Sequence, residues 1–135
     1  MFRIVITRWR RPRRQKATII KDPLRGNIPA EQMRAEAIEQ LPPRLAELAS
    51  LHGFHYNRVT IKHNLSNWGS CSCKGNINLN LCLMTLPPEL RDFVMLHELC
   101  HTREMNHGAA FHHLLESVCP GHRALAARLK EYHTQ

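Results

Sequence analysis

His97-Glu98-Leu99-Cys100-His101 carries the strongest structural signal in this sequence. Pro87 and Pro88 precede it, and proline suits the first turn of a helix, where backbone N–H groups have no partner within the helix. Apolar residues then recur at helical spacing, at Leu90, Phe93, Val94, Leu96 and Leu99. We therefore predict a helix that begins at these prolines and ends near Met105.

Two histidines on this helix can hold one metal ion. Residues four apart lie on the same face of a helix, so the imidazoles of His97 and His101 can point to one place. Glu98 projects beside them, within reach of a water molecule on the metal. This pattern is typical of zinc hydrolases, in which a carboxylate acts as the general base. The alternative is a chance pair, since the sequence has ten histidines. Chance is a poor explanation for the adjoining glutamate and for a further histidine downstream.

A third ligand must follow, because a catalytic zinc usually has three protein ligands and one open position. The candidates after His101 are Glu104, His107, His112, His113, Glu116 and His122. We favour His107, because the asparagine and glycine on either side of it permit a tight chain reversal. Its spacing resembles that of the metzincin zinc proteases, although Glu104 stands where those proteins have glycine. Glu116 is the main alternative, since other proteins with this motif take a glutamate from the following helix.

Length and composition predict an ordinary globular protein. The length of 135 residues and the hydrophobic fraction of 43% predict a single domain over residues 1–135. Because no apolar stretch is long enough to span a membrane and no signal-peptide pattern begins the chain, we expect a cytoplasmic protein without a membrane partner. The five cysteines are odd in number and unevenly spaced, which favours reduced thiols.

Positive charge is concentrated near the N-terminus. The formal net charge is +8, and the segment from Arg8 to Lys16 is rich in arginine and contains one tryptophan. Such a segment could contact the phosphates of nucleotides or nucleic acid. The alternative is a solvated loop that only aids solubility.

The order of predicted elements indicates an α+β fold. Strands are predicted at residues 2–7, 17–21, 56–63 and 76–81, and helices, besides the histidine helix, at residues 30–40, 44–52, 109–118 and 123–132. Residues 64–75 read as a polar loop. Pro42 and Pro43 are expected to break or kink the first helical region.

Further motifs surround the histidine helix in a definite order. They are Trp68-Gly69-Ser70-Cys71-Ser72, Gly75-Asn76-Ile77-Asn78-Leu79-Asn80, Pro87, Phe93-Val94, Asn106-His107 and Phe111. Together with the histidine motif this series resembles the YgjP-like metal-dependent hydrolases, relatives of the SprT-type minimal zincin proteases. The resemblance implies a zincin-like fold, in which a small N-terminal antiparallel or mixed sheet packs on the H-E-x-x-H helix and further helices follow. It also implies that His107 is the third ligand.

The resemblance further implies a place for substrate. In zincins an edge strand aligns extended substrate by main-chain pairing. The segment from Ile77 to Leu81 would be that strand, with Asn78 and Asn80 as substrate-binding residues. The alternative is that these asparagines only form the solvent face of a strand. Two positions depart from the family pattern. Asn67 stands where the family commonly has a basic residue, and His112 stands where it commonly has a tryptophan.

Three functions from different classes follow as hypotheses. The first is a zinc-dependent metallopeptidase that acts on a peptide or protein substrate through metal-activated water, with Glu98 as general base. The second is a metal-dependent hydrolase of nucleoside triphosphates, in which the N-terminal arginines bind phosphates. The third is a nucleic-acid-associated zinc module without catalysis. Glu98 argues against the third, because a purely structural zinc site is normally closed by four ligands and needs no base. Residues considered for stabilising the developing oxyanion are Arg103, His63 and His112.

Overall fold

The computed structural model describes residues 18–135 and begins with a β-hairpin. Strands β1 (Ile19–Asp22) and β2 (Gly26–Pro29) pair in antiparallel fashion, with Ile20 opposite Ile28. The Asp22 carboxylate holds the turn, since it accepts backbone hydrogen bonds from the two residues that follow Pro23, at 2.8 and 3.0 Å. The strand predicted over residues 2–7 and the basic segment from Arg8 to Lys16 lie outside the described residues.

Helix α1 (Ala30–His52) is continuous, so the break expected at Pro42-Pro43 is wrong. Each proline inside a helix costs about 3 kcal/mol, because it removes a hydrogen bond and crowds the preceding turn. The apolar stripe nevertheless continues through the prolines into the core: Met33, Ala37, Leu41, Leu45 and Leu48 are all buried. Each buried leucine contributes about 1.5–3 kcal/mol, so the three leucines together offset the two prolines.

A second sheet contains strands β3 (Arg58–Lys62), β4 (Gly69–Cys71) and β5 (Asn76–Asn80). The strand order is β3-β5-β4, in which β3 runs parallel and β4 antiparallel to β5. β5 is therefore the central strand, and the expectation that residues 77–81 form an edge is wrong. β4 is an edge strand, although it lies within a segment that we predicted as a loop. That segment has no strand signal in the sequence, since Gly-Ser-Cys contains no β-branched or aromatic residue.

Three helices complete the described chain. A 3-10 turn (Leu81–Thr85) leads from β5 to α2 (Pro88–His101), which is followed by α3 (Ala109–Val118) and α4 (His122–Leu129). α2 begins at the predicted prolines but ends at His101 rather than near Met105, and a reversal over residues 102–108 follows it. No helix within residues 18–135 combines the length and the hydropathy that a membrane crossing requires.

α2 is the element around which the others pack. It contacts α1, α3 and α4, and it also contacts β4 and β5 of the mixed sheet. Its residues Leu90, Met95 and Leu99 are fully buried, as are Ile77 and Leu79 of β5. The α+β class, with a small mixed sheet packed on the H-E-x-x-H helix and further C-terminal helices, is thus confirmed.

Candidate metal centre

Three histidines converge at the C-terminal end of α2. One ring nitrogen of each of His97, His101 and His107 lies within 4.8 Å of the other two, and the Nε2 atoms of His101 and His107 are 2.9 Å apart. His101 is buried, His97 is half-buried and His107 is exposed. The structure therefore brings together the three histidines that the sequence predicted. Three converging imidazole nitrogens suit the donor set of a divalent metal such as zinc.

A backbone carbonyl orients the most buried of these rings. Nδ1 of His101 lies 2.9 Å from the carbonyl oxygen of Glu104. Since a carbonyl only accepts, Nδ1 carries the proton and Nε2 keeps its lone pair toward His107. Burial lowers the pKa of His101, although the bond to Glu104 and the negative charge of Glu98 oppose that shift. The neutral imidazole that metal binding needs is therefore favoured.

Phe111 forms an apolar wall against the histidines. The phenyl ring is 1% exposed and stacks on the imidazole of His101, with ring centroids 4.5 Å apart. It also meets His97 and His107 edge-on, at 5.0 Å in each case. The sequence motif included Phe111 without a role, and the structure assigns it the packing of all three rings.

Glu98 is buried between His97 and the edge strand. Its side chain is 7% exposed, and its Oε1 lies 3.1 Å from Nδ1 of His97. On the other side, a Cβ atom at Gly69 would lie 3.1 Å from Cγ of Glu98 and 3.1 Å from the carbonyl oxygen of Asn78. Glycine at position 69 thus allows β4 to approach α2 beside the carboxylate. Sequence reasoning missed this contact, because nothing local to Gly69 indicates that a helix lies against it.

A cavity of about 250 Å³ opens over the histidines. Glu98, the three histidines, residues 69–71 and Met105 line it. Burial, with a smaller contribution from the charge of Glu98, raises the pKa of Cys71 to about 11. The thiol is therefore protonated at neutral pH.

The two asparagines predicted to bind substrate do not occupy an edge. Asn80 is 2% exposed, and its side-chain amide donates to two backbone carbonyl oxygens within residues 64–67. The amide of Asn78 donates to Oγ of Ser70 at 3.1 Å. Because side chains alternate along a strand, Ser70 lies on the opposite face of the sheet from Gly69. Both asparagines form hydrogen bonds within the protein, and the expectation that they lie on an edge strand is wrong.

Three of the other candidate ligands, Glu116, His122 and His112, contact one another instead. Glu116, the main alternative, accepts a hydrogen bond from the backbone N–H of Gly121 at 2.9 Å and another from Nδ1 of His122. Nε2 of His122 lies in turn 3.2 Å from Nδ1 of His112. Within residues 18–135, the histidine set at positions 97, 101 and 107 is the one group of three that could hold a metal ion. The structure therefore favours His107 over Glu116.

The residues considered for oxyanion stabilisation have other contacts. The guanidinium of Arg103 lies 4.4 Å from the centre of the Phe54 ring. His63 contacts the backbone oxygen of Gln135 through Nε2. His112 contacts His122, as described above. None of these contacts directs a side chain to Glu98.

The fold and the histidine cluster define a class, that of metal-dependent hydrolases with an H-E-x-x-H helix. The sequence model described as the YgjP-like metallopeptidase domain matches residues 14–132. Because this match spans most of the chain, the protein belongs to the YgjP-like metallopeptidase family. The resemblance inferred from the motifs is thus confirmed, and with it the assignment to metal-dependent enzymes.

Solved structures confirm the zincin-type architecture. The crystal structure of the metallopeptidase zymogen abylysin from Pyrococcus abyssi is similar with a TM-score of 0.61 and 22% identity, over 68% of this chain and 93% of that one. The crystal structure of the metallopeptidase zymogen jannalysin from Methanocaldococcus jannaschii has a TM-score of 0.60 and 19% identity, over 68% and 95% of the two chains. At these identities the similarity concerns the fold alone. Among curated proteins, no significant match is found.

Proposed function

We propose that this protein is a zinc-dependent peptidase in which His97, His101 and His107 bind the metal ion and Glu98 is the general base. The convergence of three imidazole nitrogens beside a buried carboxylate carries this proposal. Three protein donors leave a position for water or substrate, which distinguishes a catalytic site from a closed structural one. When bound, zinc supplies a water molecule of lowered pKa and polarises the carbonyl group under attack.

Glu98 is placed to move the proton. One of its oxygens contacts Nδ1 of His97, and the other is available to the attacking water. The carboxylate accepts a proton from that water and passes it to the nitrogen of the leaving amine. Burial and the contact with His97 hold the side chain in one orientation, so little reorganisation is needed during the reaction.

β4 supports a peptide as the substrate, because among the described strands it forms an edge beside Glu98. It pairs with β5 on one side, and within residues 18–135 no strand pairs with its other side. An extended peptide can add to such an edge through main-chain hydrogen bonds. Gly69 and Cys71 share the sheet face that contacts α2, so the added peptide would run past the carboxylate. We therefore propose for β4 the role that the sequence suggested for β5.

The experiment that tests this proposal compares two substrate classes. The full-length protein, purified and loaded with zinc, is incubated with an unfolded polypeptide and separately with nucleoside triphosphates. We expect about one bound zinc ion per chain by elemental analysis. We also expect cleavage of the polypeptide that stops with a chelator and returns when zinc is restored. Hydrolysis of the triphosphates without peptide cleavage would instead support the phosphohydrolase alternative and contradict the proposal.

A further inference from the structure

A second and larger cavity lies on the other side of Glu98. Its volume is about 450 Å³, within the range of cavities that accept small ligands or single side chains. Six apolar or aromatic residues form most of its lining: Trp68, Phe93, Val94, Ala126, Leu129 and Tyr132. They come from the segment before β4, from α2, and from α4 with the residues after it. Within residues 18–135, four parts of the chain therefore surround an open apolar cavity.

This cavity and the smaller one over the histidines share three residues, Gly69, His97 and Glu98. The shared residues form the boundary between the two cavities. A peptide paired with the edge of β4 crosses this boundary beside the carboxylate. Its reacting bond would then lie at Glu98, and a neighbouring side chain would point into the larger cavity.

We infer that the larger cavity binds a bulky apolar side chain of the polypeptide, leucine-sized or aromatic, at a residue that flanks the bond to be cut. This inference rests on the proposed peptidase function and adds a substrate preference to it. Transfer of such a side chain from water to an apolar cavity favours binding, because its apolar surface is removed from water. An alanine side chain would leave most of the apolar lining in contact with water or with a void, so it would bind in the cavity much more weakly.

The rim of the cavity adds discrimination by charge and polarity. Ser66, Asn67 and Lys130 line it and are exposed, whereas Phe93 and Val94 are buried. The Lys130 ammonium disfavours a lysine or arginine side chain entering beside it, since like charges repel. A polar rim around an apolar interior is the usual arrangement of a side-chain pocket. The expected preference is therefore for bulky apolar over small side chains.

The test uses zinc-loaded full-length protein and cleavage sites mapped by mass spectrometry in an unfolded polypeptide. Matched peptides then carry phenylalanine, alanine or lysine at the preferred position. Ala126→Phe fills the cavity from α4 and should lower kcat/KM for the phenylalanine peptide about 10- to 100-fold, with little change for the alanine peptide. Ala124→Phe is the matched control, because Ala124 lies on the same helix, is exposed and does not line the cavity. It should change neither value.

A binding measurement gives a second readout that does not depend on turnover. Trp68 lines the cavity, and the other tryptophan, Trp9, is removed by Trp9→Phe. In this background the phenylalanine peptide should change the Trp68 emission at lower concentration than the alanine peptide does. Adding Ala126→Phe should abolish that difference.

The outcomes separate this inference from the proposed function. If no peptide is cleaved, the proposed function fails. If peptides are cleaved without a bulky apolar preference, or a folded Ala126→Phe variant keeps the full preference, the inference is overturned and the peptidase stands. If circular dichroism shows that Ala126→Phe does not fold, Leu129→Ala replaces it. That variant enlarges the cavity and should shift preference from leucine toward tryptophan, and an unchanged preference would likewise overturn the inference.

Discussion

Two clusters in this protein contain the same kinds of side chain but are built differently. At the end of α2, His97, His101 and His107 aim one nitrogen each at a common point. At the corner between α3 and α4, Glu116, His122 and His112 form a chain in which each group bonds the next. In the first cluster Nδ1 of His101 bonds a backbone carbonyl, and its Nε2 is directed at Nε2 of His107. In the second cluster the side chains form hydrogen bonds with one another.

The comparison shows that histidines and a glutamate close together do not by themselves define a metal site. A ligand needs a lone pair that is free and directed at a shared point. In the corner cluster both nitrogens of His122 and Nδ1 of His112 take part in internal hydrogen bonds, and the Glu116 carboxylate also accepts the backbone N–H of Gly121. We therefore expect the first cluster to control activity and the second to stabilise the corner.

The largest expected effect concerns Glu98. Glu98→Gln keeps the shape of the side chain but removes its ability to accept a proton, so peptide hydrolysis should fall by about 10²–10⁴-fold. The zinc content should stay at the level of the unmodified protein, because the three histidines are intact. Both quantities are measured on the same preparation. Full turnover with full metal content would rule out Glu98 as the base.

The next effect contrasts the two clusters directly. His107→Ala removes a converging nitrogen and should weaken zinc binding by more than the roughly 10- to 100-fold typical of residues that only support a ligand. Glu116→Ala is the matched substitution in the corner cluster and should leave the affinity nearly unchanged. Titration with a competing chelator measures both. Equal losses, or a larger loss for Glu116→Ala, would show that the third ligand is wrongly assigned.

A smaller effect is expected at the contact between β4 and α2. Gly69→Ala places a Cβ atom 3.1 Å from Cγ of Glu98 and 3.1 Å from the carbonyl oxygen of Asn78, so the Glu98 side chain or the strand backbone must move by a few tenths of an ångström. A displacement of this kind can lower kcat by up to about 100-fold, while zinc binding should persist. Gly108→Ala is the control, since a Cβ atom there meets nothing within 4 Å. Unchanged kcat in Gly69→Ala would mean that the position of Glu98 does not depend on this close approach.

The smallest effect is a pH dependence of stability at the corner cluster. Hydrogen bonds from the Gly121 N–H and from His122 hold the pKa of Glu116 below its ordinary value of 4.5. Because the pKa is lower in the folded than in the unfolded state, the stabilisation is present above about pH 4.5 and is lost as the pH falls through the folded-state value. Glu116→Gln should therefore lower Tm slightly near neutral pH, and this difference should shrink progressively as the pH falls below about 4.5. Thermal unfolding over a series of acidic pH values measures this, and a difference that does not change with pH would refute the assignment.

The metal helix was predictable because its signals are local. The prolines at its start, the apolar period and the histidines four apart all act within one helix, so neighbouring residues contain the needed information. His107 was predicted by its spacing and by the family pattern together. Its proximity to the helix histidines required the reversal over residues 102–108, whose path no local rule specifies. The Glu104 carbonyl that orients His101 was not foreseen for the same reason.

The errors share a physical origin in packing between distant segments. The helix through Pro42 and Pro43 persists because leucines on both sides are buried against the rest of the core. β4 becomes a strand because β5 pairs with it, although its three residues have low intrinsic preference for that structure. β5 is central because β3 and β4 flank it, and alternation along one strand cannot reveal which partners exist.

From its own residues the chain determines the helix that holds His97, Glu98 and His101, since a period of 3.6 residues places these side chains without help from other segments. Tertiary structure decides everything that requires two distant segments to meet. It brings His107 to the pair, sets Gly69 against Glu98 and opens an apolar cavity between α2 and α4. The reason is that a metal site or a pocket depends on distances of a few ångströms between groups far apart in the chain, and only packing of the whole core sets those distances.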